Sequence, residues 1–238
     1  MAGGDLVVFA AASLKGVLDD ARDAWASAHP GATLTIATDS SAALAVQIGE
    51  GAPADVFLGA DTATAERLVD DGLAVGPTVP VARNALAIVV PASNPARIAS
   101  PADLGRTGVK VIAAGEAVPI TAYATELITN LERAAGAPRS LAVGYARNVV
   151  SREDNVKAVI AKIELGEGDA AIVYATDAAA SDRVAVIGIP AGVNVAVTYA
   201  GAVLESSRHP EAAAEFLRWL TGPDGGAMLA AAGFLPPA

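Results

Sequence analysis

The chain has 238 residues and a formal net charge of −10; 53% of its residues are hydrophobic and none is cysteine. The missing thiols exclude cysteine nucleophiles, thiolate metal sites and disulfides, and the acidic balance disfavours nucleic acid and anionic lipid surfaces as partners. No apolar run reaches the roughly 18 residues of a membrane helix, and the apolar share suffices for one large domain or two small ones.

The start, Met1-Ala2-Gly3-Gly4-Asp5, lacks a basic segment followed by an apolar one. It reads as a mature exported chain whose signal has been removed, or as a native cytosolic start. Asp5 to Ala10 is an apolar run expected to form a buried strand. Ala12-Ser13-Leu14 follows, then a helix to about Ala28 with Leu14, Val17, Leu18, Ala21 and Trp25 at helical spacing, stopped by His29-Pro30-Gly31. Thr33 to Ala37 is a second strand, Ser40-Ser41 opens a second helix, and Gly51-Ala52-Pro53 ends it. Asp55 to Leu58 is a third strand, and Thr62 to Asp71 a third helix closed by Gly72.

Strands alternating with helices predict βαβ units and a largely parallel sheet. The pattern pauses at the extended run Asn84 to Pro91. It resumes with a strand from Val109 to Ala113, helices from about Thr121 to Ala135 and Asn155 to Leu165, and a strand from Asp169 to Tyr174. A second long extended run covers Val195 to Leu204, and helices over Pro210 to Leu220 and Pro223 to Ala231 close the chain. The two long runs predict a bilobal α/β protein in which each carries the chain across. The first lobe is residues 1–85 and 200–238, the second 86–199, with the ligand cleft between them. Ligands of open α/β sheets bind where strands end and helices begin, and helix N-termini there suit anions.

Three stretches carry a resemblance. They are Phe9-Ala10-Ala11-Ala12-Ser13-Leu14; Ser40-Ser41 with Leu44-Ala45-Val46-Gln47-Ile48 and Gly51-Ala52-Pro53-Ala54-Asp55-Val56-Phe57; and Ile172-Val173-Tyr174 with Asp177-Ala178. In order and spacing the chain resembles the molybdate-binding proteins of bacterial ABC importers over nearly its whole length. The resemblance implies the type II periplasmic-binding-protein fold, two α/β lobes joined by two crossover segments that close on a tetrahedral oxyanion. It implies hydroxyl contacts from Ser13, Ser41 and Tyr174, which touch the oxygens of the metal oxyanion and are not direct metal ligands. It implies backbone N–H donors from Ser13, Ser41, the Pro119-Ile120 turn and Val156. It further implies molybdate or tungstate as ligand, no cofactor, no catalysis, a membrane permease as partner, a monomer, and a periplasmic or other extracytoplasmic location, with a lipid anchor on the precursor as one option. The chain departs from the family in Asp39, where a small neutral residue is more usual, in the bulky Val118-Pro119-Ile120-Thr121 turn, and in a longer segment before Val156.

A site made only of donors satisfies a dianion that offers only acceptors. It leaves the O–H of protonated phosphate facing another donor, at about 1–3 kcal/mol for a buried unpaired group. The plain alternative for each serine is a helix N-cap, for Tyr174 a packed strand-end ring, and for Val156 a core residue. Competing functions have less support. Another tetrahedral oxyanion such as sulfate or chromate is the closer competitor and differs mainly in anion size. A ferric-iron site usually presents adjacent tyrosines, and Tyr123, Tyr145, Tyr174 and Tyr199 are never adjacent. For an enzyme, His29 and His209 each precede a proline and are expected to be solvated, and Glu153-Asp154 is expected to serve as charge at a helix N-terminus. Trp25 and Trp219 are expected in the core, Arg147 and Arg152 on solvated surface.

Overall fold

The computed structural model describes residues 4–134 and 140–237. They fall in two compact units, one running to Asn84 and resuming at Thr198, the other Ala85–Val197.

The first unit opens with β1 (Asp5–Ala11), a one-turn 3-10 helix (Ala12–Leu14) and α1 (Lys15–Ala28). Then come β2 (Thr33–Asp39), α2 (Ser41–Gly49), β3 (Val56–Gly59), α3 (Thr62–Asp70) and β4 (Ala74–Asn84). The second unit contains β5 (Leu86–Pro91), a 3-10 turn (Pro101–Gly105), β6 (Val111–Ala114), α4 (Pro119–Arg133), α5 (Leu141–Asn148) and β7 (Val149–Glu153). It continues with α6 (Val156–Glu164), β8 (Ala170–Tyr174), α7 (Ala175–Ala179) and β9 (Val184–Ile187). The chain returns to the first unit through β10 (Val197–Leu204), α8 (Pro210–Thr221) and α9 (Pro223–Ala231).

The first sheet has the order β2-β1-β3-β10-β4, the second β7-β6-β8-β5-β9. Strands β1, β2 and β3 are mutually parallel, as are β6, β7 and β8. The expectation of largely parallel sheets needs correction here. Strand β10 runs antiparallel to β3, and β5 antiparallel to both β8 and β9. A parallel neighbour requires a crossover that returns the chain to the same end of the sheet. Strand β10 enters its sheet from the other unit, so no such crossover constrains its direction.

Both faces of the first sheet are covered, which is why β1 reads as a continuous apolar run. Side chains alternate across a strand. Phe9 joins Leu44, Ile48, Phe57 and Leu68 under α2 and α3, while Val8 is fully buried on the opposite face. Trp25 has no exposed surface, and its indole meets Phe216 edge-on at 5.3 Å and Trp219 at 5.5 Å. Trp219 itself is half-buried.

Several elements differ from the sequence expectation. Helix α4 begins at Pro119 rather than Thr121, because proline is preorganised for the first helical position; its expected end at Ala135 lies outside the described residues. Elements β4, α5, β7, α7 and β9 were not expected. Strand β4 is mostly exposed or half-buried, and α5 carries Gly144 against the backbone of Gly105, so neither shows a clean apolar period. His29 is half-buried rather than fully solvated. Its ring stacks on Trp25 with centroids 3.5 Å apart, four residues along α1, and Nε2 lies 3.4 Å from Glu215. His209 is exposed, as expected.

Candidate functional site

In the first unit the register of the sheet sets the site. Ala11 at the end of β1 pairs with Asp39 at the end of β2. Ser13 and Ser41 each lie two residues further on, so both emerge at the carboxyl ends of neighbouring strands, about 4.8 Å apart in the sheet. Ser13 is 6% exposed and Ser41 1%.

Neither serine is a helix cap. Ser13 makes no capping bond; its Oγ is 2.8 Å from the hydroxyl of Tyr199 on β10. In the Ser40-Ser41 pair the duties divide. Ser40 is the N-cap of α2 and accepts from the Ala43 N–H at 3.2 Å. Ser41 is the first helical residue, and its Oγ accepts from the Ala60 N–H at 2.9 Å. Ala60 follows β3, the strand beside β1, so three adjacent strand ends converge here. A hydroxyl has one proton and two lone pairs. With a lone pair of Ser41 already taken by a backbone donor, its proton is directed elsewhere. The Ser41 N–H belongs to the first helical turn, which has no intrahelical acceptor. Asp39 accepts from the Ser40 N–H at 2.7 Å, which occupies one carboxylate oxygen beside the serines.

In the second unit Ile120 and Val156 follow β6 and β7 and Tyr174 is the last residue of β8, so all three stand at the carboxyl ends of parallel strands. All three are at most 4% exposed. Ile120 is the second residue of α4 and Val156 the first of α6, so both N–H groups lie in a first helical turn. Asn155 caps α6 by accepting from the Ala158 N–H at 3.1 Å. Thr121 braces the turn before α4, its hydroxyl lying 2.8 Å from the Gly115 carbonyl and 3.1 Å from that of Ala114. Tyr174 ends β8 and makes no side-chain cap bond to α7.

The charged side chains of this unit also have structural duties. Glu153 ends β7 and does not head a helix; it accepts from Ser151 at 2.5 Å and pairs with Lys162 at 2.9 Å, interactions that hold its carboxyl below the usual range despite partial desolvation. Arg147 donates to Thr107 at 3.2 Å, ahead of β6. Arg152 instead donates to the Ala114 carbonyl at 3.0 Å, at the carboxyl end of β6. Asp177, in α7, is 1% exposed and pairs with Lys157 of α6 at 2.7 Å. Burial raises its carboxyl above the ordinary range, and Lys157 offsets part of that. This pair ties the first turn of α6 to the segment just after Tyr174.

Among the described residues no group of three or more His, Asp or Glu side chains gathers as a metal site. No described helix is long and apolar enough to cross a membrane. An apolar hollow of ≈ 510 Å³ beside α9, lined by Val81, Leu229, Phe234 and Leu235, suits an anion poorly. Its one hydroxyl, Thr221, already donates to Leu217 at 2.9 Å.

The sequence reading missed Tyr199, Thr121 and the Lys157–Asp177 pair. For Tyr199 a signal was present: a phenol inside an apolar strand needs a partner for its hydroxyl.

Residues 6–235 match the family model for bacterial extracellular solute-binding proteins. The chain belongs to that family. It is 35% identical over 233 residues to the molybdate-binding protein ModA of Mycobacterium tuberculosis, covering 98% of this chain and 85% of that protein. It is 30% identical over 239 residues to the molybdate-binding protein ModA of Escherichia coli, covering 97% and 89%. Among solved structures it superposes on the periplasmic molybdate-binding protein of Azotobacter vinelandii with a TM-score of 0.81 at 24% identity, covering 98% and 100%. The fold is therefore the bilobal type II periplasmic-binding-protein fold, as the resemblance implied. A TM-score of 0.85 at 20% identity to the sulfate-binding protein SubI of Mycobacterium tuberculosis, covering 98% and 86%, speaks for the same fold alone.

Proposed function

We propose that this protein captures molybdate or tungstate outside the cytoplasm and delivers it, as a monomer, to the membrane permease of an ABC importer, without chemical change to the anion. The observation that carries the reading is the placement of Ser13 and Ser41 at neighbouring strand ends, neither acting as a helix cap. In this reading one oxyanion takes the hydroxyls and N–H groups of Ser13 and Ser41, the Tyr174 hydroxyl, and the N–H groups of Ile120 and Val156. Neutral donors replace the anion's water without burying a countercharge, and a buried ion pair is often energetically neutral at best. The names of the curated relatives support molybdate as the ligand.

Calorimetric titration of the purified protein with molybdate, tungstate, sulfate and phosphate tests the reading. Tight binding of molybdate and tungstate, with sulfate and phosphate far weaker, is expected. Equal affinity for sulfate would make the protein a general oxyanion binder, and no binding of any of the four would end the proposal.

A further inference from the structure

Each candidate serine has its oxygen held by a partner from elsewhere in the first unit. For Ser41 the partner is a backbone N–H, which only donates. For Ser13 it is the Tyr199 hydroxyl at 2.8 Å, a buried contact across 186 residues of sequence in which either oxygen can be the donor. A bound oxyanion removes that ambiguity. It accepts only, so the single proton of Ser13 is committed to the anion, and the proton between Ser13 and Tyr199 must then come from Tyr199.

We propose that Tyr199 is a positioning residue for the oxyanion: its hydroxyl donates to Ser13 Oγ and so directs the Ser13 proton onto the ligand, as the Ala60 N–H does for Ser41. The inference rests on the oxyanion-binding reading above and extends it to a residue that does not itself touch the ligand. Two physical consequences follow. A hydroxyl that accepts a hydrogen bond becomes a stronger donor, because chained hydrogen bonds polarise one another. A hydroxyl with one lone pair occupied and its rotation fixed also loses less freedom when the anion arrives. Tyr199 is suited to the role. It is fully buried, it stands on β10, and its ring is braced edge-on against Phe234 at 5.3 Å.

The test is Tyr199→Phe, which deletes the hydroxyl and keeps the ring with its Phe234 contact. Molybdate affinity of the unaltered protein, Tyr199→Phe, Ser13→Ala and the double variant is measured by calorimetry, with circular dichroism to verify the fold. The expected result is a rise in Kd of about tenfold for Tyr199→Phe, the scale of one hydrogen bond that matters only when a charged acceptor is bound. In the Ser13→Ala background the same change should leave Kd unaltered, since Tyr199 then has no serine to orient. A merely structural tyrosine would weaken binding equally in both backgrounds, and that result overturns the proposal. So does an unchanged Kd for Tyr199→Phe when the unaltered protein binds molybdate. If the unaltered protein binds no oxyanion, the functional reading falls first and this inference with it.

Discussion

The ammonium of Lys157 lies 2.7 Å from a carboxylate oxygen of Asp177, and the two differ sharply in burial: the lysine side chain is 36% exposed, the aspartate side chain 0%. The aspartate therefore depends on the lysine far more than the reverse. Removing one partner of such a pair leaves a buried charge uncompensated.

Lys157→Met should lower stability at pH 7 by about 2 kcal/mol, less than for a fully buried pair because the lysine is partly solvated. Burial already raises the Asp177 carboxyl, and losing the lysine raises it further. An acid raised in the folded state holds its proton more tightly there than in the unfolded chain. Its penalty is thus absent below the unfolded carboxylate range and grows as pH rises through it. The deficit should accordingly shrink on acidification, and Asp177→Asn added to Lys157→Met should restore most of the loss at pH 7. Urea melts at pH 7 and pH 4.5 measure this; a deficit independent of pH would contradict it.

Ser40 and Ser41 should separate cleanly. Ser40→Ala removes the α2 cap and should cost about 1 kcal/mol of stability with molybdate Kd unchanged. Ser41→Ala should weaken molybdate about tenfold to 150-fold, the span of a hydrogen bond to a charged group. It should also lower the melting temperature of the free protein, because the Ala60 N–H loses its acceptor. Affinity and melting temperature measured on both variants decide the matter; the opposite pattern would make Ser40 the ligand-facing residue.

Tyr174→Phe keeps the ring and deletes one hydroxyl. If that hydroxyl contacts the anion, molybdate Kd should rise at least about tenfold while the unliganded melting temperature stays within a few degrees. His209→Ala, at an exposed helix start, is the control and should leave Kd and stability within about 0.5 kcal/mol.

Alkaline titration should reveal Tyr145. Desolvation pushes its phenol up to about 12, with Arg152 pulling the other way. The unfolded chain then loses this proton first, so stability should fall between the ordinary phenol range near 10 and about 12. Tyrosinate absorbance should show a phenol that ionises only near pH 12 and that Tyr145→Phe removes. At the acid end Glu153, lowered by Ser151 and Lys162, should cost stability as pH falls through the carboxylate range; Glu153→Gln should flatten that limb.

What the sequence by itself determined is local. Strand β1, helix α1 and the helix opened at Ser40-Ser41 were legible because apolar periodicity, Pro30-Gly31 and a serine at a helix start act within a few residues of one another, whereas the binding role of Ser13 and Ser41 came only as what the resemblance implies. Helix α8 and helix α9 were legible for the same reason, each opened by a proline. The division of Ser40 from Ser41 was only half legible. The cap bond spans three residues, but the Ala60 N–H that claims Ser41 is 19 residues away on another strand end. Tyr199 beside Ser13, Lys157 against Asp177 and the antiparallel entry of β5 and β10 were decided by the tertiary structure. Each depends on which strands lie side by side and in what register. That is set by the burial of whole sheet faces and the satisfaction of distant polar groups, quantities that no short window of sequence contains.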